Sequence, residues 1–185
     1  MPMRTDELAW RRCVVDNMVI ATLATNTAYL AQALRLAASA KAVVSAFKCA
    51  ALVISDELAT AELSSQLEPV FLHGRADWRP PPEWCARKLS GWRHTSVLKL
   101  GALQLFLEHG DVLFVDADWR FKQDPFSALR RCAGARLEMM GVRDDHFVNL
   151  GLLYVRATPA TRRIAARAAN RSFVAWDQAV INEEM

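Results

Sequence analysis

The chain has 185 residues, a length that suits one domain (1–185) able to bury roughly 70% of its unfolded surface. Hydrophobic residues make up 52% and charged residues 23%, which is ordinary for a globular protein. The net charge of +3 makes no case for nucleic acid and suits an anionic ligand. The four cysteines, Cys13, Cys49, Cys85 and Cys132, are far apart and form no Cys-x-x-Cys pair, which argues against zinc and demands no disulfide.

Met18–Leu23 is the first strand candidate. Thr25, Asn26 and Thr27 follow, then a helical pattern from Ala28 to about Ala40 with Tyr29, Leu30, Ala33, Leu34 and Ala37 on its apolar face. Asn26 or Thr27 would cap that helix. The other reading is that the strand-to-helix junction offers free N–H groups and a positive dipole end to a nucleotide. No Gly-rich phosphate loop is present, which disfavours a dinucleotide fold. Cys49–Ile54 is a second strand ending at Ser55 and Asp56, Glu57–Leu67 a short helix, and Pro69–Leu72 a third strand. The order β-α-β-α-β implies a parallel sheet with right-handed crossovers.

Residues 73–94 read as a loop or insertion, with Pro80-Pro81-Pro82 and Trp78, Trp84 and Trp92. Thr95–His109 then forms an amphipathic helix stopped by Gly110, with Val97, Leu98, Gly101, Leu105 and Phe106 on one side. Lys99 on this helix reads as a solvated lysine. Asp111–Val115 is a short buried strand, and Asp116, Ala117 and Asp118 stand at its end. In an extended chain Asp116 and Asp118 project to one side. Two carboxylates at the carboxyl end of a buried strand suit a hard cation holding a diphosphate. The alternative is two acids that end a strand and begin a turn.

Asp124-Pro125 reads as an N-cap and first helical turn, so Asp124 is structural rather than a third metal ligand, and Phe126–Arg131 is a short helix. Arg136–Val142 is a strand candidate, and Arg143–His146 a polar turn. Phe147–Asn149 and Leu152–Val155 flank Gly151, a glycine that marks close backbone approach. Thr158-Pro159 opens a helix to about Asn170, whose Arg163, Arg167 and Arg171 form a solvated stripe. Trp176-Asp177-Gln178 opens the last helix, with Asp177 a candidate N-cap. The chain stops inside that helix, which suggests a piece of a longer protein. The apolar stretch Cys13–Thr25 contains Asp16 and Asn17 and is too short to span a bilayer.

Five ordered segments carry a resemblance. They are Ile20–Leu30 (IATLATNTAYL), Leu52–Glu57 (LVISDE), Ser96–Phe126 (SVLKLGALQLFLEHGDVLFVDADWRFKQDPF), Val148–Thr161 (VNLGLLYVRATPAT) and Trp176–Glu184 (WDQAVINEE). Through them the chain resembles the nucleotide-diphospho-sugar transferase family of plants and algae. That family includes arabinosyl-, xylosyl- and galactosyltransferases acting on cell-wall and glycoprotein substrates.

The resemblance implies an α/β fold, a Rossmann-like GT-A α/β/α sandwich with a mainly parallel central sheet, here C-terminally incomplete. It implies a retaining glycosyltransferase with a UDP-sugar donor, a glycan or glycoprotein acceptor and a divalent metal, manganese or magnesium. Asp116 would lie near the ribose or metal and Asp118 would ligate the metal. Thr25, Asn26 and Asp56 would border the nucleoside. Lys99 would point at the donor phosphates or brace the Asp-x-Asp. Asn149 and Gly151 would shape the donor-sugar pocket, and Asp177 and Gln178 would face the reacting sugar and acceptor. Leu150 stands where the family often has a small polar residue, and family members continue beyond the Asp-Gln motif with further strands and often a late histidine ligand. Such enzymes usually face the Golgi lumen. Two alternatives stand beside this: a truncated or degenerate transferase domain that binds nucleotide-sugar or a partner without turnover, and a haloacid-dehalogenase-type phosphotransferase, which also places Asp-x-Asp after an apolar strand.

Overall fold

The computed structural model describes residues 14, 17–45, 47, 50–54, 71–73, 92–132, 137–145, 147–172 and 174–185. Their elements run β1 (Met18–Ala24), α1 (Thr27–Val43), β2 (Ala50–Ile54), β3 (Phe71–His73), α2 (Trp92–Leu107), β4 (Asp111–Val115), α3 (Pro125–Cys132), β5 (Met139–Asp144), β6 (Phe147–Val155), α4 (Pro159–Arg171) and α5 (Asp177–Glu184). The six strands form one sheet in the order β3-β2-β1-β4-β6-β5. The pairs β1–β2, β2–β3 and β1–β4 are parallel, whereas β6 runs antiparallel to both β4 and β5. The sheet is therefore mainly parallel, as expected.

All seven residues of β1 are buried, because both faces of the sheet are covered. The period of two divides them. Val19, Ala21 and Leu23 face a core made with α2, α4 and α5, where Phe106, Leu107, Phe114, Ala168 and Ile181 pack. Met18, Ile20 and Ala24 face a second core with α1 and α3, where Leu30, Leu36, Leu113, Phe126 and Tyr154 pack. Helices on both faces of an open sheet make the α/β/α sandwich that the pattern predicts.

Several boundaries differ from the sequence reading. On α1, Tyr29 and Leu34 are exposed, while Leu36 and Ala40 take buried places. The stripe Leu30, Ala33, Leu36/Ala37, Ala40 meets the sheet, and its rotation is set by that contact rather than by hydropathy. Helix α2 begins at Trp92, so residues 92–94 are helical and His73 belongs to β3; neither is loop. Buried residues occur all round α2 (Val97, Leu100, Gly101, Leu103, Phe106), because it lies between the sheet and α4 and α5. Arg143 and Asp144 continue β5, and the turn begins only at Asp145, at φ 46°. Strand β6 runs through Gly151 without a break. The predicted helix Glu57–Leu67, the rest of the 73–94 loop, and Cys13, Cys49 and Cys85 lie outside the described residues.

The caps predicted for α1 and α4 hold. Asn26 accepts the Tyr29 N–H at 3.0 Å. Thr158 and Thr161 form a reciprocal capping box at the start of α4. The arginine stripe is more than a solvated face. Arg171 pairs with Glu183 and Glu184, and Arg167 lies 3.8 Å from Glu184, tying the end of α5 to α4.

Asp111, at the start of β4, has a structural task that its sequence position does not advertise. Its Oδ1 accepts the Ala157 N–H and its Oδ2 the Tyr154 hydroxyl, both at 2.8 Å. Burial first, then this bond and the Asp111 charge, push the Tyr154 phenol up to about 12 from 10.0. The folded chain thus keeps a proton that the unfolded chain sheds. The stability this supplies is complete below pH 10.0 and is lost as pH rises towards about 12. Denaturant titrations across that window should show the decline, and Tyr154→Phe should abolish it while costing about 1–2 kcal/mol at neutral pH. An unchanged alkaline profile in the variant would refute the assignment.

Candidate functional site

Strands β1 and β4 are parallel neighbours, and the strand order runs outward from them in opposite directions. In open α/β sheets the crevice for ligands lies beyond the carboxyl ends of strands at such a reversal. Thr25 and Asn26 leave β1 at that edge, and Asp116 and Asp118 leave β4 there. Ile54 of β2 pairs with Ala24 of β1, so the backbone heading for Asp56 leaves by the same edge, although Asp56 itself lies outside the described residues.

Asp116 ends β4 rather than extending it. Its N–H reaches the Gly151 carbonyl at 2.8 Å, and its own carbonyl accepts the Trp119 N–H at 3.1 Å. Residues 116–119 are therefore a turn. Ala117 is buried beneath it and Asp118 is exposed above it. Arg120 braces the turn by donating to the carbonyls of Ala117 and Trp119. The Ser39 hydroxyl on α1 takes the Phe121 N–H at 3.0 Å. Asp124 accepts the Phe126 N–H and caps α3, the structural role expected of it. The reading of two acids that end a strand and begin a turn is therefore the one the backbone shows, and the turn leaves the Asp118 carboxylate exposed.

Lys99 overturns its expectation. It is not solvated: it is 8% exposed, and its Nζ lies 2.7 Å from Asp116 Oδ1 and 5.3 Å from the centroid of the Phe114 ring. Buried helix α2 packs over β4 and delivers the ammonium from below. Burial nevertheless leaves the Asp116 carboxyl above the usual range. Lys99 pulls it down, and the negative charges of Asp118 and Asp177 push it up again. Asp177 and Asp118 thus share the electrostatic surroundings of Asp116, one from α5 and one from the β4 turn.

Asp177 and Gln178 are both buried at 7% exposure in the first turn of α5. Asp177 is not the N-cap; that position is held by Trp176, which makes no side-chain cap bond. Asp177 Oδ1 instead accepts the Gln178 N–H at 2.9 Å, and its charge suits a helix N-terminus. Asn149 Oδ1 accepts the Gly151 N–H at 2.6 Å, and its amide donates to Asp144 at 3.1 Å. Thr25 is half-buried at the β1 end, and the side chain of Asn26 is occupied in capping α1.

Gly151 is where these groups crowd together. A Cβ there would stand 2.8 Å from Asn149 Oδ1, 3.0 Å from Asp116 Oδ2 and 3.4 Å from Trp119 Nε1. The close approach that the glycine signals is therefore approach to the acidic turn. Trp119 and Arg120 escaped the sequence reading, because nothing in their spacing marks a residue that edges or braces a turn. Gly151→Ala should cost about 1–3 kcal/mol of overpacking, partly in melting temperature and partly in ligand affinity through displacement of Asp116. Thermal denaturation beside ligand titration checks this, and a variant unchanged in both would contradict the crowding.

Among the described residues no three His, Cys, Asp or Glu side chains converge to hold a metal ion. Two carboxylates, however, meet the usual demand of a hard octahedral cation, which takes one or two from the protein and the rest from phosphate and water. Asp116 and Asp118 fit such a shared site, since one Asp116 oxygen is free of Lys99. An open depression of about 390 Å³ lies elsewhere, lined by Gly141, Arg143, Asp145, Phe147, Val148 and Asn182 and by none of the site carboxylates.

An open, mainly parallel sheet sandwiched by helices, with an acidic turn at its strand-order reversal, defines a Rossmann-like α/β domain. The family model for nucleotide-diphospho-sugar transferases matches residues 79–185, and the chain belongs to that family. Its function is accordingly of the nucleotide-sugar glycosyltransferase type, and the phosphotransferase alternative falls away. The match takes in α2, the β4 turn, β6 and α5 but begins after β1–β3, so Thr25, Asn26 and Asp56 lie outside it. No curated relative matches the chain. No helix among the described residues is long and apolar enough to cross a membrane.

Proposed function

We propose that the chain binds a UDP-sugar with a divalent cation, manganese or magnesium, across the carboxyl ends of β1 and β4, and transfers the sugar with retention to a glycan or glycoprotein acceptor. The observation that carries this reading is the buried Lys99 ammonium bonded to the half-exposed Asp116 carboxylate, which also feels the charges of Asp118 and Asp177. One cation below and three carboxylates around form a site still short of positive charge.

The difficult step is departure of a nucleoside diphosphate from an anomeric carbon. Asp118, with Asp116 beside it, would hold the metal, which when bound supplies Lewis-acid stabilisation of the leaving diphosphate. Lys99 fixes the Asp116 carboxylate and adds fixed positive charge under the phosphates. Asn149 and Gly151 border the sugar: the glycine leaves room, and the bond between them holds the Asn149 amide in place. Asp177, buried at the start of α5, is the carboxylate that faces the positive charge developing on the sugar ring. Gln178 stands beside it, towards the acceptor. Thr25, Asn26 and Asp56 border the nucleoside.

Calorimetric titration of UDP with and without manganese tests the reading. Because the described residues offer two carboxylates rather than a cage, manganese alone should bind weakly, and UDP and manganese should strengthen one another. Equal UDP affinity with and without the metal would overturn the metal-dependent reading.

A further inference from the structure

We infer that Asn182 is a positioning residue for the sugar end of the donor, its amide tying α5 to strand β6 beside Asn149. The inference rests on the donor reading above. Strand β4 pairs with β6 only from Val112↔Val155 to Val115↔Leu152, and Asp116 adds one last bond to Gly151. The chain then turns away at Ala117 and Asp118, so β4 supplies no neighbour to Val148. Asn182 takes that place. Its Oδ1 accepts the Val148 N–H at 2.8 Å and its Nδ2 donates to the Val148 carbonyl at 3.1 Å, as a neighbouring strand would. The second Nδ2 hydrogen reaches the Gln178 carbonyl at 2.7 Å.

Both donors and the acceptor are thus used, and the amide has only one workable orientation, because a flip would set donor against the Val148 N–H. On the other side of β6 the register slips. Gly141 pairs with Leu153 and Val142 with Asn149, which leaves Leu150, Gly151 and Leu152 without partners in β5. The stretch from Leu150 to Leu152 is therefore unpaired by β5 just beyond Asn149, and Asn182 is the side chain that ties the strand leading into it to the helix carrying Asp177 and Gln178. Two bonds from this one amide join α5 to Val148 of β6, and the third, to the Gln178 carbonyl, stays within α5 and fixes the amide's orientation.

The role predicts a split between nucleotide and sugar. UDP is held by the β4 turn and Lys99, whereas the sugar lies between β6 and α5. With manganese present, the affinity of the full chain for UDP is compared with its affinity for UDP-glucose, UDP-galactose, UDP-xylose and UDP-arabinose, using whichever sugar nucleotide binds tightest. In Asn182→Ala, UDP affinity should stay within about twofold while affinity for the sugar nucleotide falls roughly tenfold. Asn182→Asp keeps the shape and the acceptor but sets an anion against two carbonyls, and should be at least as damaging. Arg171→Ala, which loosens the far end of α5 from α4, should leave the ratio unchanged.

Parallel loss of UDP and sugar nucleotide, an unchanged ratio, or an equal effect of Arg171→Ala would each overturn the positioning role. Amide exchange at Val148 reads the clamp without ligand: it should be slow in the unaltered chain and fast in both Asn182 variants, and slow exchange in the variants would overturn the clamp. Failure of the unaltered chain to bind UDP with manganese would overturn the donor reading itself, and this role with it.

Discussion

Asp118→Ala should remove manganese-dependent UDP binding while leaving the fold intact. Asp118 is exposed on the turn after β4, so its side chain makes no contribution to either core. Its neighbours explain the size of the effect. Asp116 already gives one oxygen to Lys99, and the buried Asp177 accepts the Gln178 N–H. Asp118 is thus the carboxylate most free to reach a cation brought by a diphosphate. A metal in such a role contributes several kcal/mol, so affinity should fall by about a hundredfold or more. Melting temperature should not fall, since relief of like-charge repulsion on Asp116 offsets any small loss. Retention of metal-dependent binding in this variant would displace Asp118 from the metal site.

The second large effect should follow Lys99→Met, and it should appear in both stability and binding. Methionine fills much of the same volume in the buried wall of α2 but leaves Asp116 without its cation. Asp116 would then face Asp118 and Asp177 with nothing to oppose them, and its carboxyl would rise further from its usual range. Losing one partner of a fully buried pair costs about 3–5 kcal/mol. Here the Asp116 side chain is 44% exposed, and water screens part of that, so about 1–3 kcal/mol is expected. Thermal denaturation reads this part, and titration of UDP with manganese reads the rest, as weakened affinity at unchanged stoichiometry. Full stability together with full affinity would return Lys99 to the role of a bystander.

Lys99 also marks the boundary between what a linear reading reaches and what it does not. Helical periodicity places it on a polar-looking position of an amphipathic stretch, a pattern that calls for one wet face. The helix is wet on neither broad side, because α4 and α5 cover what the sheet does not. The elements doing the covering lie 60 to 80 residues further along the chain (α4 from Pro159, α5 from Asp177), beyond the reach of any local pattern. For the same reason periodicity assigns Tyr29 and Leu34 to the apolar face of α1, and both are exposed. Hydropathy records which residues tolerate burial, and the packing partner decides which are buried.

Local chemistry was legible where it is local. The caps at Asn26, Asp124 and Thr158 follow from a side chain bonding to backbone two or three residues on. The β4 run, the Asp-x-Asp at its end and the glycine in β6 are short-range signals, and all stand where the sequence places them. The sequence by itself determined the α/β class, the family and the set of residues available to the site. The tertiary structure alone decided that β6 lies antiparallel beside β4, so that Gly151 meets Asp116. It also decided that Lys99 is a buried counter-ion, and that Asn182 completes a strand edge that β4 abandons. Each of these depends on long-range pairing, in which hydrogen-bond partners and charges are set by register and helix docking.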